Sequence, residues 1–335
     1  MLVALLVLFA GWSCCQAQSQ KTIPLTLSVP GPRNSVSIPL ELAVRARLDS
    51  AEGIALRLRF VDGGGVAIQD LVTRNADFAV FGLPAAMHDN LREDRLVALA
   101  AIDDLPLYTL MVRADLRNQV RRIEDLKGRV IGVHSNSLTG KTTSHQVADL
   151  VFRRHGMLPE NVRYVAAGQS WNTQSSAFIS RSVDASMCDE PYGTRLAMEK
   201  LAFRLFSTGN ADDIRDTPGS GFLRASLITR RVEVTQNPES ARRMVSIVKR
   251  ALAWIGSHSA EELADSLQMP ADGERQSFLE VARSFPRQYS KDGRFSTRQL
   301  RETEAFFRAS SPDLPGVRNY SVDSMIVDRW AGRKP

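Results

Sequence analysis

The sequence predicts an α/β protein built as two similar lobes, and three observations carry that expectation. Apolar runs of strand length alternate with stretches whose apolar residues recur every three to four positions. The same order of strand, glycine loop, helix and strand occurs twice. A largely helical tail follows the second occurrence and returns to the first lobe. The chain has 335 residues, enough for about two domains of ordinary size. At 43% hydrophobic and 24% charged residues it cannot be a disordered, collagen-like or coiled-coil chain.

Each element has its own local reason. Leu25 to Val29 reads as a strand ending at Pro30-Gly31-Pro32, and Leu40 to Leu48 as a helix. Ile54 to Val61 alternates apolar and basic residues, the pattern of a strand with one exposed face. Gly63-Gly64-Gly65 breaks it, Val66 to Thr73 is helical, and Phe78 to Phe81 is a buried strand. Leu96 to Val112 forms one or two strands leading out of the first lobe. The order then returns. Arg129 to Val133 is a strand, and Lys141 to Arg154 is a helix with Val147, Leu150 and Val151 on one face. Val162 to Ala166 is a strand, Thr173 to Arg181 a helix, and Val183 to Cys188 a strand. Asp77-Phe78-Ala79 and Asp184-Ala185-Ser186 even share their wording, with Pro84 and Pro191 each seven residues after the aspartate. Such β-α-β alternation argues mostly parallel sheets.

Ala202 to Thr208 is the chain's return. Asn237-Pro238-Glu239 opens a helix, with Asn as cap, Pro at the first position and Glu in the first turn. Met244, Ile247, Val248, Ala251, Leu252 and Ile255 give it an apolar stripe for core packing. Ala260 to Leu267, Gln276 to Ser284 and Thr297 to Arg308 are further helices. The first lobe is expected over residues 22–108 plus 206–335 and the second over 109–205. Two chain crossings between them form a hinge.

Leu2 to Phe9 is an uninterrupted apolar run followed by the small residues Gly11, Ser13, Cys14, Cys15 and Ala17. That is the pattern of a secretory signal peptide over residues 1–17, with Cys15-Gln16-Ala17 as the cleavage site. The run falls short of the roughly 20 apolar residues that a membrane span needs. No Lys or Arg precedes it, so either the start lies upstream or the amino group supplies the positive end. Gly11 stands where a lipoprotein signal has an aliphatic residue, so the expectation is export to the periplasm without a lipid anchor. Cys188 is then the remaining thiol and reads as a small buried core residue. Lys plus Arg is 43 against 37 Asp plus Glu, a net charge of +6 that bears on solubility and identifies no partner. No five or six like charges run together, which argues against a nucleic-acid tail.

At this point the residues carry a family resemblance. Ile123-Glu124-Asp125-Leu126-Lys127-Gly128-Arg129-Val130-Ile131-Gly132-Val133 resembles the start of the second lobe in substrate-binding proteins of ABC transporters. Gly156-Met157-Leu158-Pro159-Glu160-Asn161-Val162 is similar to a turn of theirs, and Val183 to Pro191 to their strand and loop. Gly63-Gly64-Gly65 through Asp77-Phe78-Ala79 looks like the matching first-lobe segment. Ala225-Ser226-Leu227, Asn237-Pro238-Glu239 and Val322 to Trp330 resemble the C-terminal part of the branch that binds nitrate, sulfonates, taurine and thiamin precursors. The resemblance spans almost all of the chain after the N-terminal segment. It implies a periplasmic-binding-protein type II fold with the ligand in a cleft between two α/β lobes. It also implies no catalysis, no cofactor and no nucleic acid, a monomer, and docking on an ABC permease in the cytoplasmic membrane. A ligand-sensing protein of the same fold, signalling to a membrane partner, is the alternative.

Ligands of open α/β sheets bind beyond the C-terminal strand ends. Helix N-termini there offer unpaired N–H groups and a partial positive charge. Four loops qualify: Pro30 to Ser35, with Asn34; Gly63 to Gly65, where Gly64 and Gly65 let the backbone approach closely; Gly82-Leu83-Pro84; and His134 to Lys141. In the last loop Ser135, Asn136 and Ser137 are the donors. In Gln169-Ser170-Trp171, Trp171 either stacks on a planar ligand or packs between the lobes. The pair Asp189-Glu190 either favours a ligand bearing an amine or anchors loop N–H groups, and Asp189 is the more discriminating of the two. The expected ligand is a small polar organic or oxyanionic molecule of the sulfonate, pyrimidine or amine-containing class.

Rival signals fail on spacing. Gly140-Lys141-Thr142 resembles the end of a Walker loop, but Ser135 stands where that loop needs its first glycine. His88, His134, His145, His155 and His258 form no HExxH or paired spacing, so no metal site is expected. There is no G-x-S-x-G motif. The cysteine-rich segment of related thiamin-pyrimidine synthases is also absent.

Overall fold

A computed structural model describes residues 22–135 and 140–335. The expected signal segment, with Cys14 and Cys15, lies outside the described residues, as do Asn136 and Ser137.

The first lobe begins with β1 (Ile23–Pro30), α1 (Ile38–Arg45), α2 (Leu48–Ala51), β2 (Ile54–Val61) and α3 (Gly64–Val72). It continues through β3 (Phe78–Gly82), α4 (Leu83–Asn90) and β4 (Leu96–Ala101). The second lobe follows with β5 (Tyr108–Arg113), β6 (Val130–Val133), α5 (Thr143–Arg154), β7 (Arg163–Ala166) and α6 (Trp171–Ile179). It closes with β8 (Ala185–Asp189), α7 (Tyr192–Met198) and β9 (Ala202–Ser207). The chain then returns through β10 (Ala225–Arg230), α8 (Glu233–Gln236), α9 (Pro238–Ser257), α10 (Ala260–Ser266) and α11 (Gly273–Ser284). The last elements are β11 (Phe295–Ser296), α12 (Thr297–Ser310) and β12 (Arg333–Lys334).

Two five-stranded sheets result, ordered β2-β1-β3-β10-β4 and β7-β6-β8-β5-β9. In the first, β1 pairs in parallel with β2 and β3, while β10 runs antiparallel to β3 and β4. In the second, β6 pairs in parallel with β7 and β8, while β5 runs antiparallel to β8 and β9. The two sheets therefore share one topology, and each takes its reversed strand from chain arriving from the other lobe. The stretch Leu96 to Val112 is two strands, one in each sheet.

Both faces of each sheet are covered by helices, as parallel sheets require. Leu25, Leu27 and Val29 of β1 pack with Met244, Ile247, Val248, Ala251 and Leu252 of α9 in one buried cluster. Each such fully buried aliphatic side chain contributes about 1.5–3 kcal/mol. Leu110, Val112, Ile131 and Val133 form the corresponding cluster of the second lobe with Val147, Leu150 and Val151 of α5. Two local expectations are corrected. The helix expected over Leu40 to Leu48 breaks after Arg45, where Arg47 adopts a left-handed φ of 56°. Asn237 makes no side-chain cap on α9, and its Nδ2 donates to Glu233 Oε2 at 2.6 Å. Among the described residues no helix is long and apolar enough to cross a membrane.

Candidate ligand-binding site

The loops that follow β1, β2 and β3 face those that follow β6, β7 and β8, and the two sets touch. Gly31 N–H donates to Gln169 O at 3.2 Å, and Ser35 N–H to Glu190 O at 3.2 Å. Gln169 N–H donates to Asp62 Oδ1 at 3.3 Å. Between α4 and α5, Gln146 Nε2 donates to Pro84 O at 3.0 Å. Two glycines permit this approach: a methyl on Gly31 would press on Gln169 O, and one on Gly82 would overlap Thr143 Oγ1. The lobes are closed on each other.

A buried polar cluster lies at the centre. Asp189, at the end of β8, accepts from Asn34 Nδ2 at 2.8 Å and from Gln169 Nε2 at 2.5 Å, all through Oδ2. Arg224, at the return crossing, points into the same space. Its Nε donates to Asp103 Oδ2 at 2.6 Å, its Nη2 to Ser35 Oγ at 3.0 Å and its Nη1 to Leu107 O at 3.2 Å. Its Nη1 also stands 3.5 Å from Asp189 Oδ1. Burial pushes the Asp103 carboxyl up to about 6 even against the opposing charge of Arg224. His134 Nε2 lies 3.4 Å from Asp189 Oδ2, and burial holds this ring below the ordinary histidine value. Arg224 also faces the Tyr108 ring at 5.6 Å. The cluster joins the first lobe (Asn34, Ser35, Asp103, Arg224) to the second (Tyr108, His134, Gln169, Asp189).

A cavity of about 290 Å³ opens beside this cluster, between the lobes. Val66, Ile68 and Ala85 form an apolar wall, while Gly65, Gln69, Asp89, Ser135, Gly140, Lys141 and Thr142 supply polar groups. The N-termini of α3, α4 and α5 all lie at the closure, and none has a side-chain cap. The leading N–H groups of a helix have no intrahelical acceptor and carry partial positive charge. Two carboxylates and one lysine near the cavity are already matched: Asp89 with Arg95 at 3.0 Å, and Asp149 with Lys141 at 2.5 Å.

The expected residues separate into groups. Asn34, Gln169 and Asp189 meet in the central cluster. Gly65 and Ser135 line the cavity, and a Cβ on Gly65 would stand 3.0 Å from Ser135 Oγ. Gly64 begins α3 against the Phe81 ring. Leu83 begins α4, and its N–H donates to Arg224 O at 2.6 Å. Trp171 begins α6 with Arg195 stacked 4.0 Å from its ring, and it lines an outer groove with Phe60 and Pro32. Glu190 is not part of the cleft lining. Its Oε2 accepts from Thr194 N–H at 3.0 Å at the start of α7, and burial raises its carboxyl above the ordinary value. Arg224, Asp103 and Tyr108 lie outside the expected loops, and His134 stands at the start of one of them.

A family model described as NMT1/THI5 like matches residues 50–262. No curated protein sequence matches the chain. Among solved structures, a protein from Bordetella bronchiseptica RB50 is similar at a TM-score of 0.82 and 18% identity, over 93% of this chain and 96% of its own. The alkanesulfonate-binding protein SsuA from Xanthomonas axonopodis pv. citri, bound to MOPS, gives 0.71 and 15%, over 94% and 99%. The periplasmic nitrate-binding protein NrtA from Synechocystis PCC 6803 gives 0.66 and 11%, over 91% and 86%. These likenesses show the periplasmic-binding-protein fold that the two matched sheets display. The family match covers more than half of the 335 residues, and the chain belongs to the NMT1/THI5-like family.

Proposed function

We propose that this is an exported solute-binding protein that closes on a small organic anion and delivers it to an ABC import permease. The observation that carries the reading is the interlobe cavity of about 290 Å³, with the uncapped start of α5 at its wall and that of α3 beside it. Asp189 faces Asn34, Gln169 and Arg224, so it organises the cleft rather than offering its charge to an amine. The groups left for a ligand are chiefly donors, which suit an oxyanion. A water molecule occupies about 30 Å³ of liquid, so the cavity suits a molecule larger than nitrate. Its apolar wall of Val66, Ile68 and Ala85 suits an organic body. An alkanesulfonate or an organic carboxylate meets these conditions, and the likeness to SsuA supports the same class. The ligand adds to closure only by its greater affinity for the closed form. No group-transfer step is part of this reading.

A thermal-shift screen over alkanesulfonates, organic carboxylates, nitrate, pyrimidines and amines tests it. A sulfonate or carboxylate at 100 times its Kd should add about 2.7 kcal/mol of stability. Calorimetry should then give one site per chain, with the ligand recovered unchanged. A response to amines alone, or turnover of the ligand, would defeat the proposal.

A further inference from the structure

Away from the central cluster, α4 of the first lobe lies against α5 of the second, and a histidine sits on each helix. His88 and His145 are both buried, and the Nδ1 atom of each lacks a hydrogen-bond partner. The His145 ring lies 4.1 Å from the Tyr164 ring, and its Nε2 stands 3.8 Å from Asp149 Oδ1. Asp149 is fully buried and already engaged. Its Oδ2 accepts from Lys141 Nζ at 2.5 Å and its Oδ1 from Tyr164 Oη at 2.7 Å. The charged groups acting on His88 are Lys141, Asp89 and Arg92, and those acting on His145 are Asp149, Lys141 and His88. Asp89 is itself held by Arg95 through two bonds of 3.0 Å.

The charge balance of this contact is therefore complete with both rings neutral. A proton on either ring adds a cation beside Lys141, while the two nearby carboxylates, Asp149 and Asp89, are already matched by Lys141 and Arg95. We infer that His88 and His145 form an acid-sensitive latch across the closure, holding the lobes together when neutral and releasing them when protonated. The inference deepens the proposed function, because it assumes that opening and closing control access to the cleft.

The direction follows from linkage. Burial first, and then the Lys141 charge, lowers His88, while burial lowers His145 to about 4. A ring that regains its ordinary value near 6.5 once α4 withdraws binds protons more readily in the open form. Closure is then fully supported above about pH 6.5 and weakens as the pH falls toward 4. Between pH 7.5 and 5.5 the balance therefore moves toward the open form.

Small-angle scattering of the mature chain without added ligand tests this, with circular dichroism recorded in parallel. Wild type should expand reversibly at pH 5.5 relative to 7.5, with its dichroism unchanged. The double variant His88→Gln/His145→Gln should stay compact at both values. If the double variant does not fold, His88→Gln alone should expand less than wild type at pH 5.5. A wild type that keeps its size would overturn the latch. So would equal expansion in the variants, or expansion that coincides with loss of dichroism. Because no ligand is present, a failed ligand screen and a failed latch are separate results.

Discussion

Arg224→Met tests the central cluster most directly. The wild-type guanidinium is buried and holds Asp103 at 2.6 Å, Ser35 at 3.0 Å and Leu107 O at 3.2 Å, with Asp189 at 3.5 Å. Methionine keeps much of the volume and removes the charge. Two buried carboxylates then face each other's surroundings without their cation, a change that costs about 3–5 kcal/mol. For a chain of this size that corresponds to a Tm lower by about 4–7 °C. The deficit should also depend on pH. The Asp103 carboxyl already stands near 6 because of burial, and losing Arg224 raises it further. A carboxyl raised above its unfolded value contributes stability at low pH that is lost as pH rises through the folded value. The variant should therefore lie closer to wild type at pH 5 than at pH 8. Urea unfolding at pH 5, 6.5 and 8 measures both effects. Adding Asp103→Asn should recover part of the loss, because one buried charge is then gone. A deficit below about 1 kcal/mol at pH 8, or one that does not change with pH, would refute the reasoning.

Three further outcomes are expected. Gly82→Ala places a methyl on Thr143 Oγ1 across the closure, so scattering should show a more open particle and calorimetry at least about tenfold weaker ligand binding; a particle as compact as wild type would contradict this. Asp189→Asn removes the charged acceptor shared by Asn34 and Gln169 and should destabilise by about 1–3 kcal/mol in urea. No loss there would show that the amides are satisfied without it. Ser259→Ala removes an N-cap that accepts from Glu262 N–H at 3.2 Å, and should cost about 1 kcal/mol with ligand binding unchanged.

The two-lobe plan was legible because periodicity and turn residues are local. The apolar stripe from Met244 to Leu252 and the alternation from Ile54 to Val61 depend on no distant residue. The cleft was legible only in part. Arg224 interrupts the run Phe222-Leu223-Arg224-Ala225, and a single charge entering an apolar strand was its available signal. Its partner Asp103 is 121 residues away, so the pairing exists only in three dimensions. Asp189 and Glu190 are adjacent in sequence and were read as a pair. Successive side chains at a strand end point to opposite sides, which sends one into the cleft and the other toward α7. Sequence spacing fits Trp171 to two roles, and the guanidinium of Arg195 over its ring is what spacing does not supply.

The exchange of reversed strands bears on the order in which the molecule can assemble. β10 pairs with β3 and β4, with Leu227 opposite Val80 and Ala100, so the first sheet joins its halves only after the whole second lobe has been made. The second sheet draws all its strands from one continuous stretch, β5 to β9. The ends of that stretch meet where Thr208 N–H donates to Tyr108 O at 2.9 Å. On a ribosome the second lobe can thus form while β1 to β4 still lack their central partner. Pairings of such long sequence separation are slow to form, since the intervening chain must first be closed. Until β10 arrives, β3 and β4 present unpaired edges, so the nascent first lobe is the part of this protein most open to wrong pairing.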